Sequence, residues 1–244
     1  FWAVQEGWWT IAASVMLTAI FPVMFTTYAA YLVPSLGAAM ESPATGPAVR
    51  WLVALAVIGS AMAVNWFGAR EVGWSSNFAM SIVLGAFAVF VFVWLVHGGQ
   101  PATAFETITR DFGSEHKGVL LLGLSIGMVN FGGYDNLATY SAEVVNPRRN
   151  YPIALFVVIV LSIVAYALPV LAGVGVTTDP NDWTSEAGWP VIAGRVGGHW
   201  LGGLLAFGGM IAMWALFNAQ LLYTSRIPYV AARDGWMPNW LATA

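Results

Sequence analysis

The chain has 244 residues, 59% of them hydrophobic and only 9% charged. A soluble domain carries about a quarter charged residues, so this composition excludes a chain folded with its whole surface in water. A formal net charge of −3 without any Lys/Arg block argues against nucleic acid, and the absence of Cys removes disulfides, thiolate catalysis and Cys-ligated metals together.

In chain order, Asp, Glu, Lys and Arg are missing from Gly7 to Met40, Trp51 to Ala69, Val72 to Phe105, Gly118 to Tyr134, Asn150 to Thr178 and Val196 to Ser225. Crossing about 30 Å of hydrocarbon takes roughly 20 helical residues, which each window reaches or nearly reaches once its flanks are counted. A barrel would need many short segments of alternating polarity, so helices are the remaining way to satisfy the backbone in lipid. The fold class is therefore all-α: a polytopic membrane protein with six spans in one domain. They are expected at about 8–35, 51–69, 72–97, 118–143, 151–176 and 199–225. The lipid bilayer is its first partner. The chain begins at Phe1 without an initiator Met or cleavable signal and stops at Ala244 just after a span, which reads as a fragment of a longer protein.

Trp8 and Trp9 stand near the start of the first span, Trp51 at the second, and Trp189 and Trp200 near the last, as interfacial belts require. Pro22, Pro34 and Pro169 fall within apolar segments and are expected to kink or end helices. Ser42-Pro-Ala-Thr-Gly-Pro47 and Asn146-Pro-Arg-Arg-Asn-Tyr-Pro152 read as turns, because proline lacks an amide donor and disfavours the α region before it. With loops alternating sides, Arg70, Arg148, Arg149, Arg226 and Arg233 share one side and Arg50, Arg110, Lys117 and Arg195 the other. The positive-inside tendency then places the N-terminus of the chain in the cytoplasm; the plasma (inner) membrane is the expected location.

The fourth span carries the chemistry. It is interrupted near 130–136 by Asn130-Phe131-Gly132-Gly133-Tyr134-Asp135-Asn136. A Gly pair between Asn and Asp weakens a helix where lipid would penalise bare backbone groups, so the segment is expected to be a broken helix lining a cavity. Two glycines alone would equally suit close helix packing. Asp135 favours the cavity, since a carboxylate at the bilayer centre costs roughly 2.5–3.5 kcal/mol and usually marks a pathway or counter-ion; it also suits the N-cap of the second half-helix.

Glu143, eight residues on, is a gate ion-pair partner or a solvated residue. Asn218 and Gln220, in the otherwise apolar last span, either glue helices together or face a substrate. His97, His116 and His199 are scattered near span ends without metal-ligand spacing, and no catalytic triad or phosphate loop is present. No metal or cofactor is expected, and no enzymatic activity.

Asn130-Phe-Gly-Gly-Tyr-Asp-Asn136, followed by Ala142-Glu-Val-Val-Asn-Pro-Arg-Arg-Asn-Tyr-Pro152, resembles the sixth helix and following loop of amino acid-polyamine-organocation permeases. Ser225-Arg-Ile-Pro228 through Ala232-Arg-Asp-Gly-Trp-Met-Pro238 resembles the loop after their eighth helix, and Asn65-Trp-Phe-Gly-Ala-Arg-Glu-Val-Gly73 their fourth-to-fifth junction. Leu171–Gly175, Trp183 and Gly197–Leu201 look closest to the polyamine-uptake branch and its bacterial relatives.

The resemblance covers essentially the whole chain and makes the six spans helices three to eight. It implies part of a five-plus-five inverted-repeat transporter fold with broken first and sixth helices, the remaining N- and C-terminal helices lying outside this chain. It implies a substrate strip of Val129, Asn130, Phe131, Gly132, Gly133, Tyr134 and Asp135, with Asn218 and Gln220 as the eighth-helix counterpart. Where many proton-coupled members place a fifth-helix Lys, this chain aligns Val83, with Ser81 nearby, so no fixed ammonium is available there.

The resulting expectation is secondary active transport of amino acids, as cation-coupled symport or exchange. Asp135 and Glu143 are coupling or gating candidates, and the coupling ion is H+ or Na+. The runner-up is a polyamine symporter. A polycation should need more than one buried carboxylate, and the spans show Asp135 alone. A reading of another class is a membrane receptor or scaffold with the same fold that does not transport.

Overall fold

The computed structural model describes residues 2–111, 121, 123–125, 127–128, 144–184 and 188–242. Among these residues there is no strand. The helices are α1 (Trp2–Leu32), α2 (Pro34–Glu41), α3 (Gly46–Trp66), α4 (Ala69–Val96), α5 (Pro101–Asp111), α6 (Pro147–Val176), α7 (Pro180–Thr184), α8 (Trp189–Gly197) and α9 (His199–Arg233), followed by a 3-10 turn at Asn239–Ala242. Five of them, α1, α3, α4, α6 and α9, are long and apolar enough to cross a membrane. Their large apolar side chains lie mostly on the outside, for example Met16, Leu52, Phe92, Phe156 and Ile159. That inversion of the soluble pattern is what lipid as solvent permits.

The chain divides into two compact units, Phe1–Val83 with Ala206–Ala244, and Leu84–Leu205. In the first, α1, α2 and α3 pack on one another. The first expected span ends earlier than its composition suggests: Val33 turns extended at φ −121°, ψ 91°, and Pro34 opens α2 from the first helical position, where its missing amide costs nothing. Pro22 stays inside α1. The α3–α4 junction falls where expected, with Gly68 at φ +102° after the Phe67 amide has closed on Val64. The last helix runs past the expected loop. Ser225–Arg233 is helical with Pro228 inside it, and the stop comes at Gly235 (φ +79°). There the Gly235 and Trp236 amides bond back to Ala232 and Ala231, a Schellman ending.

The second unit has its own core of Ala86, Phe90, Trp94, Ala104, Ala172, Ile192, Ala193, Leu201 and Leu205. α5 packs along α6, and α8 packs on α6 and α7. Here too a proline turn proves shorter than expected. Among the described residues of this stretch 144–146 are non-helical, Asn146 is left-handed at φ 49°, Pro147 starts α6, and Pro152 and Pro169 both lie within the helix. Trp189 is no belt residue: its ring meets Phe87 and Trp183 edge-on at 5.3 and 5.4 Å. Trp8, Trp9, Trp51 and Trp200 are exposed, as belts are.

Candidate functional site

The expected substrate strip, Val129 to Asp135, and Glu143 lie outside the described residues, as does His116. His97 and His199 are exposed at helix ends, and no cluster of His, Asp and Glu among the described residues could hold a metal.

Asn218 is fully buried in the first unit. Its carboxamide oxygen accepts from Asn65 Nδ2 at 2.5 Å, and its own Nδ2 donates to Ser75 Oγ at 3.2 Å. Ser75 Oγ in turn donates to the Val72 carbonyl, and Asn65 Nδ2 also reaches the carbonyls of Ala61 and Asn218. One amide therefore joins α3, α4 and α9 with both ends engaged, the arrangement that holds helices together where no water competes. One turn before Asn218 the indole of Trp214 donates to Ser60 Oγ on α3 at 2.9 Å. Gln220 is half-buried and, at 3.6 residues per turn, points about 200° away from Asn218, so the two expected counterparts do not share a face. At the place of the absent Lys, Val83 is half-buried and Ser81 spends its hydroxyl on the Asn77 carbonyl at 2.9 Å.

A second constellation, in the other unit, was not singled out in the sequence. Asp182 is buried and accepts from Arg195 Nη2 and from Thr177 Oγ1, each at 2.6 Å. Arg195 stays half in solvent, so its desolvation cost is small while the acid keeps two strong partners. Asp179, just before α7, accepts the Asn181 amide at 2.9 Å while its own amide donates to Thr177 Oγ1. The Trp183 indole donates to the Thr177 carbonyl at 3.1 Å. Gly173 receives the rings of Trp183 and Trp189, and Gly175 that of Trp94; a Cβ would lie 2.7 Å from Trp183 and 2.6 Å from Trp94. Acid residues in a Pro/Asn loop read as solvated, and a pairing thirteen residues apart leaves no periodic trace.

The family model described as amino acid permease matches residues 1–244. Polyamine transporter PUT1 of Oryza sativa subsp. japonica is 28% identical over 244 residues, covering 99% of this chain and 43% of the relative. Polyamine transporter RMV1 of Arabidopsis thaliana is 27% identical over 248 residues, covering 99% and 47%. An uncharacterized transporter of Mycobacterium tuberculosis (strain ATCC 25618 / H37Rv) is 29% identical over 198 residues, covering 80% and 44%. The chain thus spans less than half the length of these relatives.

Proposed function

The chain belongs to the amino acid permease family, and from that premise we propose secondary active transport of amino acids, coupled to H+ or Na+, as the function of the full-length protein. The match over all 244 residues carries the reading. The proposed binding strip is Val129 to Asp135, unwound carbonyls and the Asp135 carboxylate taking the α-ammonium. Asn218, with its amide committed to Asn65 and Ser75, takes the part of holding the eighth-helix counterpart in place, and Gln220 that of a contact on another face. Asp135 and Glu143 are the proposed proton carriers, with Val83 offering no ammonium.

The names of two relatives favour a second reading, transport of polyamines. Against it stands the charge count: within the charge-free windows and their flanks, Asp135 is the one carboxylate placed mid-span by the sequence, and a polycation in a low-dielectric site calls for more.

Thermal unfolding of the purified full-length protein against L-amino acids and diamines separates the two, because whatever binds the native state raises its stability. Stabilisation by an amino acid but not by putrescine or spermidine, lost in Asp135→Asn, supports the first reading; a response to polyamines alone installs the second. Binding without uptake into proteoliposomes under either ion gradient would make the protein a receptor.

A further inference from the structure

Of the nine Lys and Arg residues, Arg148 and Arg149 are the two that are neighbours in sequence. They lie in the first turn of α6, just after the left-handed Asn146, and the Asn150 side chain ties that turn by donating to the Val145 carbonyl. Both arginines are exposed, and among the described residues neither guanidinium has an ion-pair or hydrogen-bond partner. Other arginines are placed differently: Arg195 is held by Asp182, Arg233 lies over the Tyr229 ring at 5.9 Å, and Arg70 has Glu71 beside it in sequence. The acid nearest the pair in sequence is Glu143, outside the described residues. After Arg149 no charge follows until Asp179. The two guanidinia therefore mark the end of a membrane span and stand at headgroup depth, where a cation on a long apolar stem meets phosphate.

Below them the helix is apolar and open. Ile153, Phe156 and Val160 follow Arg149 at four, seven and eleven residues, a spacing that puts all four on one stripe of a helix with 3.6 residues per turn. All three are exposed, and the buried residues of α6, Pro169, Ala172 and Gly173, gather at its other end. At 1.5 Å per residue the stripe runs about 16 Å from Arg149 to Val160, close to the roughly 15 Å that one leaflet contributes to the hydrocarbon.

We propose that this end of α6 binds an anionic phospholipid, the Arg148 and Arg149 guanidinia taking its phosphate and one acyl chain lying along Ile153, Phe156 and Val160. Guanidinium groups suit phosphate oxygens in geometry as well as charge. Two cations against one phosphate favour a headgroup without a positive charge of its own, since a zwitterionic lipid brings a third cation to the same place. The apolar stripe commits the site to a lipid, because a free phosphate would leave it unused. The proposal rests on α6 as a membrane span and is independent of the substrate carried.

The test is thermal unfolding of the purified full-length protein in detergent micelles, titrated with dioleoyl phosphatidylglycerol or dioleoyl phosphatidylcholine, since a ligand of the native state raises its midpoint. Phosphatidylglycerol acts at concentrations roughly tenfold or more below those phosphatidylcholine requires, the scale of two cations beside an anionic headgroup. In Arg148→Gln/Arg149→Gln that preference is lost while the lipid-free midpoint stays that of the wild type. Arg148→Lys/Arg149→Lys keeps most of it, and Arg50→Gln, outside the site, leaves it whole. Arg149→Gln alone loses part of the preference and carries the test where the double variant does not fold. Equal responses to the two lipids in the wild type overturn the proposal, and so does an equal loss in Arg50→Gln, which would make the attraction diffuse. The same stabilisation by inorganic phosphate overturns it in favour of a free-anion site. A fall in the lipid-free midpoint with the lipid preference intact overturns it too, by showing that the pair bonds protein.

Discussion

Gly173 shows how one absent side chain organises a loop. With the Trp183 ring 2.7 Å and the Trp189 ring 3.1 Å from where its Cβ would be, the substitution Gly173→Ala forces two indoles out of a packed core. Overpacking of this kind costs about 1–3 kcal/mol, so thermal unfolding of the full-length variant should show a clear drop in melting temperature. Gly59→Ala is the counterpart. Gly59 lies within α3 with nothing inside 4 Å of where a Cβ would stand, and alanine there should leave the midpoint unchanged or raise it. Neither contrast was visible in the sequence, where both glycines sit in apolar surroundings. The neighbours that separate them come from other elements. Asp182 makes the same point with opposite chemistry: nothing in the sequence singles it out, and it is the buried centre of a loop that Arg195 closes.

At the scale of elements, polarity was readable and partnership was not. Asn218 stood out as an amide in an apolar run, and glue was one of its two expected roles; that its partners are Asn65 and Ser75, 153 and 143 residues away, is information only the fold holds. Interhelical hydrogen bonds in membranes contribute about 0.6 kcal/mol on average and up to about 1.7 kcal/mol. Asn218→Leu, which loses two, should destabilise the full-length protein by about 1–3 kcal/mol. Asn65→Leu should cost a similar amount, and the double variant less than their sum, because the two share one bond; additive losses in denaturant melts would show that the amides act separately. Helix ends were read less well than helix existence. Prolines near residues 147–152 and 228 suggested loops, yet α6 starts at Pro147 and continues through Pro152, and α9 continues through Pro228.

For the whole molecule, the spans outside 118–143 were legible because a charge-free run of about 20 residues has few alternatives in lipid, and the family resemblance was legible because its motifs are local. The short helices α5, α7 and α8 were not, since they lie in charged or Pro-rich loops whose order depends on the second unit's core. The alternation of helices also yields a prediction of sidedness. If the N-terminus is cytoplasmic, Asn181 is outside and Arg149 inside. The chain has no cysteine of its own, so in a full-length background cleared of any others, Asn181→Cys should react with a membrane-impermeant maleimide in intact cells and Arg149→Cys only after permeabilisation. The reverse pattern would invert the assignment.

Helix α6 has a consequence for how such a protein is made. Past its first turn it carries no charge for the rest of its 30 residues, and its buried residues, Pro169, Ala172 and Gly173, gather at one end. A segment that asks so little of its neighbours partitions from the translocon into lipid on its own hydrophobicity. α9 contains Asn218 and Gln220, and the bonds that satisfy Asn218 come from α3 and α4, which have already left the ribosome when α9 emerges. Synthesis order and bonding order thus agree: the partner helices α3 and α4 wait in the bilayer for α9, and assembly can proceed during translation without holding the Asn218 amide unmet in hydrocarbon.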